Sequence, residues 1–164
     1  MVYIVCGQIA NFKTESTIEI EKIPFALNSK LKKSIVIKDA EEVEERFHSR
    51  YNAKQKTYRY IINNSKHGTA IYRDLEYYMP IKLDIKSMQE AVKYFEGEHD
   101  FSSFKASGTS SKSSIRTIYK AEVFRDGERI KIELTGNGFL YNMVRIIAGT
   151  LVDVGLRKNK TRRN

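Results

Sequence analysis

Two stretches of clean alternation, Thr117–Arg125 and Arg129–Leu134, meet at Asp126-Gly127, and this constrains the chain more than any other feature. Alternation puts every second side chain on one face of a strand. Asp-Gly between two such strands signals a tight hairpin, because glycine accepts the positive φ that the turn requires. The chain therefore holds an antiparallel sheet with one apolar face, and the remaining elements must cover that face.

The pattern supplies the cover. Asp84 caps a helix over 85–96 whose stripe is Met88, Ala91, Val92 and Phe95, with Gly97 as the stop. A final helix from about 139 to 154 carries Met143, Ile146, Ile147, Thr150, Leu151 and Val154 at helical spacing. KTYRYIIN, residues 56–63, reads as a strand with Tyr58, Tyr60 and Ile62 on one face and Arg59 and Ile61 on the other. Further strands are expected over 3–12 and at Ser34–Lys38. Residues 71–80 are expected to be strand then turn, and 16–31 a helix weakened by Pro24. The fold class is α+β, a mostly antiparallel sheet with helices packed on one face. From Leu156 the sequence LRKNKTRRN has five basic residues in nine and no apolar pattern, which predicts a disordered or foreign tail.

With 164 residues the chain is one domain or slightly more. No apolar run reaches the ~20 residues that cross a bilayer, and the N-terminus lacks the basic start of a signal peptide. A single cysteine excludes an internal disulfide and fits a cytosolic, reducing setting. Lys and Arg number 29 against 20 Asp and Glu, a net charge of +9 that favours a polyanionic partner, nucleic acid ahead of membrane. Simple solubility is the bland alternative.

Three segments carry chemistry. FHSRYNAKQKTYRY, residues 47–60, interleaves cations with aromatic rings; it suits phosphates and unpaired bases, or equally a charged edge that resists aggregation. EGEHDFSSFKASGTSSKSSIRTIY, residues 96–119, joins an acidic cluster around His99 to a Ser-rich loop. Its ligand spacing is poor for a metal, and its loop has the charge to meet phosphate. In GNGFLYNMVRIIAGTLVDVG, residues 136–155, Arg145 sits among apolar helix neighbours. Such a cation snorkels, meets a buried anion, or pairs with a carboxylate in a cleft.

These segments, together with GQIANF, resemble the tRNA pseudouridine synthase A family from about Gly7 to Gly155. The resemblance implies a pseudouridine synthase-like fold. It implies isomerisation of uridine to pseudouridine in the anticodon stem-loop of tRNA, without cofactor or metal. An aspartate attacks, the glycosidic bond breaks, the base turns, and carbon replaces nitrogen at the sugar. Tyr58 matches the tyrosine that stacks on the target base, and Arg145 the arginine that orients the aspartate. RNA contacts are implied for Phe47, His48, Ser49, Arg50 and Tyr51, and for Gly108, Thr109, Ser110, Ser111 and Lys112. Family members are homodimers. On this reading residues 1–65 are the remainder of an N-terminal subdomain with its connecting strand. Residues 66–155 are part of a C-terminal one, and 156–164 a basic tail.

The family's nucleophile lies in a GRTDAGVHA-like motif before the Gly-Gln that here is Gly7-Gln8. This sequence has MVYIVC there, and its first aspartate is Asp39. The expectation is a chain truncated at both ends and inactive alone, with MVYIVC a frame-shifted reading of the lost motif. A noncatalytic RNA-binding module and a non-functional remnant are the alternatives.

Overall fold

The computed structural model describes residues 7–108 and 113–161. They form two compact units, divided between Ala53 and Lys54.

The larger unit is built on the expected hairpin. Five strands, β1 (Lys56–Asn63), β2 (Tyr77–Tyr78), β3 (Gly97–Asp100), β4 (Ile115–Asp126) and β5 (Arg129–Gly136), make one sheet in the order β2-β1-β5-β4-β3. All pairings are antiparallel except β1 with β2. Gly127, at φ +58°, takes the first position of the β4–β5 turn. Between Ile118 and Lys120 the register of β4 shifts at a bulge.

The alternation in β5 is complete: Ile130, Ile132 and Leu134 are buried, and Lys131 and Glu133 lie on the other face. Tyr58, Tyr60 and Ile62 pair with Leu134, Ile132 and Ile130, so the expected face of β1 is the core face. α2 (Ile85–Val92) and α3 (Met143–Thr161) cover it with Met88, Val92, Met143, Ile147 and Leu151, all fully buried. The Asp84 side chain accepts the Ser87 amide at 3.2 Å, the expected cap. The two helices pack closely at Gly155, where a Cβ would lie 2.9 Å from the Met88 sulfur.

Local readings differ from the sequence expectation in four places. α2 ends at Val92 in a 3-10 turn, and Gly97, at φ +99°, leads into β3 rather than a loop. Residues 71–80 order as turn then strand. α3 runs to Thr161, since Leu, Arg and Lys are good helix formers and cations suit a helix C-terminus. Thr150 is exposed and donates to the Ile146 carbonyl at 3.0 Å instead of joining the core.

The open edge of β4 is closed by side chains. β3 pairs only with Ile115–Ile118. Beyond it, Glu96 accepts the Ala121 amide at 2.9 Å, Lys93 donates to the Ala121 carbonyl at 3.2 Å, and Gln89 donates to Val123 at 2.9 Å. At the other end of the sheet, β2 covers only the last two residues of β1.

The smaller unit, residues 7–53, has one short helix, α1 (Ile23–Asn28). Pro24 falls in its first turn, where a missing amide costs nothing, so the proline starts this helix instead of kinking a longer one. Among the described residues here only Pro24 is buried. The strand expected over 3–12 is irregular at residues 7–12, with residues 3–6 outside those described, and the one expected at Ser34–Lys38 is irregular too, because a strand needs a partner to bond. For Ile37 that partner is the Asn28 amide, which bonds its carbonyl at 2.9 Å and its N–H at 2.8 Å.

Candidate RNA-facing site

Tyr58 stands third in β1, on the core face but beyond the core's end, and is 40% exposed. Phe139 holds its ring edge-on at 5.0 Å and 71°. The neighbouring side chains keep this stretch of β1 in register: Thr57 and Thr135 hydroxyls bond at 2.8 Å, and Arg59 donates to Glu133 at 2.5 Å on the opposite face. An anchored, half-open aromatic ring is a stacking platform.

Arg145 lies in the first turn of α3, half-buried, and α3 packs against β1. The turn that aims it contains Asn142, the one non-glycine residue with positive φ (+58°) among those described. The Asn142 carbonyl accepts the Ile146 amide at 3.0 Å, which starts the helix. The carbonyl before it, Tyr141, accepts the Ala106 amide at 3.1 Å. That bond ties the Ser-rich loop to the approach to α3. On the loop's far side the Ser114 carbonyl accepts the Phe101 amide at 3.0 Å, and Lys105 donates to the Ser114 hydroxyl at 3.3 Å. Gly108 is exposed at φ +88°. Thr109, Ser110, Ser111 and Lys112 lie outside the described residues.

The acidic cluster before the loop is structural. Glu96 is held by β4 as described, His99 bonds the Glu96 carbonyl at 2.7 Å, and Asp100 accepts the Ser102 amide at 2.9 Å. Phe101 is buried between the rings of Phe95 and Phe104. The Ala121 amide and Lys93 hold the Glu96 carboxyl below its ordinary pKa.

In the smaller unit Phe47, His48, Ser49, Arg50 and Tyr51 form an ordered turn. The Asn52 side chain accepts the His48 amide at 2.8 Å, and the Asn52 amide donates to the His48 carbonyl at 2.9 Å. His48 Nδ1 accepts the Arg50 amide at 3.2 Å, which leaves the ring proton on Nε2. Asn11, from GQIANF, accepts the Ser49 amide at 2.9 Å, so two sequence motifs close one turn. The Tyr51 ring lies 4.2 Å from that of His48 and 6.0 Å from the Arg50 guanidinium, and is 77% exposed.

Sequence reasoning missed Phe139 and Asn142. Phe139 was hidden in an apolar run, and no periodicity marks a left-handed residue. The helix expected from about 139 ran across Asn142, whereas α3 begins at Met143; an asparagine, which tolerates the left-handed region, was the available signal.

A model of the tRNA pseudouridine synthase family matches residues 91–163 of the chain. A tRNA pseudouridine synthase A from Acetivibrio thermocellus is 51% identical over 152 residues, 93% of this chain and 62% of that protein. One from Caldicellulosiruptor saccharolyticus is 53% identical over 154 residues, 94% and 63%. A tRNA pseudouridine synthase A 2 from Clostridium perfringens is 49% identical over 152 residues, 93% and 62%. The chain is thus similar to tRNA pseudouridine synthase A proteins over nearly its whole length, and it spans a little over three fifths of the length of these relatives.

Proposed function

We propose that the chain carries the base-holding half of a tRNA uridine-isomerising site, and that it works on the anticodon stem-loop in a cytosolic setting. The half-exposed Tyr58 ring, braced by Phe139 at the end of β1, is the observation that carries this reading. A flipped base loses its stacking neighbours, and an aromatic platform restores ~1–3 kcal/mol. Arg145 serves the same step: a guanidinium within ~4–6 Å of a carboxylate keeps it ionised and nucleophilic. The turn at residues 47–51 and the loop at 108–112 supply phosphate and base contacts. A homodimer belongs to this reading, as does a subdomain division at residues 65/66.

The nucleophilic aspartate has no counterpart before Asp39 in this sequence. The isolated chain is therefore expected to bind unmodified tRNA with an affinity that falls steeply with salt, and to form no pseudouridine. Turnover would make another carboxylate the nucleophile, with Asp100 tested first. No binding would end the reading. Tyr58→Ala should weaken binding by ~1–3 kcal/mol.

A further inference from the structure

The larger unit has a second place suited to a polyanion, at the opposite end of β1 from Tyr58. A groove of about 400 Å³ is lined by Asn64, Lys66, Pro80, Lys82, Leu83, Ile85 and Arg125. Three of the seven are cations and none is a carboxylate. All three cations are exposed, while Leu83 is buried and Ile85 half-buried beneath them. Apolar walls under a set of like charges focus the field on a small anion.

The groove is built rather than incidental. Asn64 follows β1, and its amide donates to the Glu128 carbonyl at 2.8 Å. Its side-chain NH2 bonds two carbonyls of the facing segment, Met79 at 2.7 Å and Ile81 at 2.8 Å. Its Oδ1 accepts from Arg125 Nη2 at 2.8 Å. One asparagine thus fixes both walls and aims the guanidinium. A guanidinium has five donors, and this bond uses one. Oriented arginine is the side chain best suited to phosphate, with lysines as accompanying point charges.

We propose that this groove binds a phosphate of the RNA backbone, remote from the base held at Tyr58. Six residues of extended chain separate Tyr58 from Asn64, about 20 Å. That separation lets the groove meet the arm of an RNA whose loop base is at Tyr58. The proposal rests on the RNA-binding reading above and adds to it a second, sequence-independent anchor that sets the reach of the arm.

The test titrates KCl against binding of a labelled anticodon-arm hairpin, for the whole chain and for a Lys66→Gln, Lys82→Gln, Arg125→Gln variant. Loss of the phosphate held in the groove should flatten the slope of log K against log[KCl] by about 1 and weaken binding about tenfold at low salt. Lys120→Gln, elsewhere on the same sheet, should leave the slope within about 0.5 of the parent. An unchanged slope in the triple variant overturns the groove. Amide shifts in the unaltered chain give an answer that needs no variant to fold. Hairpin RNA should move the signals of Asn64, Lys66, Lys82 and Arg125. RNA that binds without moving them overturns the groove and leaves the Tyr58 reading standing. Absence of RNA binding overturns both. Inorganic phosphate that moves these signals while RNA does not assigns the groove to a small anion and overturns the backbone proposal.

Discussion

Gly136 ends β5 where the backbones of β4 and β5 approach at the bulge. A Cβ there would lie 2.6 Å from the Thr117 carbonyl oxygen, and backbone cannot yield as a side-chain tip can. Gly136→Ala should cost ~1–3 kcal/mol, read as a lower midpoint in urea with unchanged slope. Gly138, where the nearest atom would be 3.8 Å away on the Arg116 side chain, should tolerate alanine. Packing thus requires the first glycine of the pair and leaves the second free to change. The sequence did place Tyr58 on the face it occupies, because period two is insensitive to context. It could not show that the ring would be left half-open, since that depends on where the helices stop.

At the scale of elements, the edge of β4 shows side chains doing what a strand would do. Gln89, Lys93 and Glu96 project from α2 and the turn after it onto the backbone of Ala121 and Val123. The acidic run FEGEHDF resembled ligand chemistry in sequence because nothing in one dimension shows which backbone groups lack partners. Charge makes this arrangement dependent on pH. Glu96 is held below its ordinary pKa by the Ala121 amide and Lys93, and Asp126 below its own by Lys131. A carboxylate with a lowered folded-state pKa contributes its stability above the unfolded value and loses it as pH falls through the folded one. The melting temperature should therefore drop as pH falls below about 4. The double variant Glu96→Gln, Asp126→Asn should show a shallower drop over the same range. Parallel curves would remove these two groups from the acid response.

Across the whole molecule, legibility followed partnership. β1, β4, β5 and the presence of the two long helices were legible because each has a neighbour that rewards its own periodicity; the helix ends were not, α2 stopping at Val92 and α3 running from Met143 to Thr161. Residues 7–53 were misread in the described part of the strand expected over 3–12 and at 16–31 and 34–38, where apolar residues such as Ile9, Phe12, Phe25 and Val36 are exposed and no ladder forms. Local stability follows buried contact and protected backbone bonds. Amide exchange should be slowest in β4, β5 and the first turns of α3, and faster by orders of magnitude across residues 7–53. Uniform protection in both units would contradict this division.

The short reach of β2 has a colloidal consequence. Among the described residues β5 flanks β1 along its whole length, and β2 adds only Ile62 and Asn63 on the other side. Lys56 and Arg59 place charge on that side, the usual guard against strands joining end to side. Salt weakens such a guard by screening it. Concentrated preparations should therefore stay dispersed at low ionic strength and grow turbid as it rises, the reverse of ordinary salting-in.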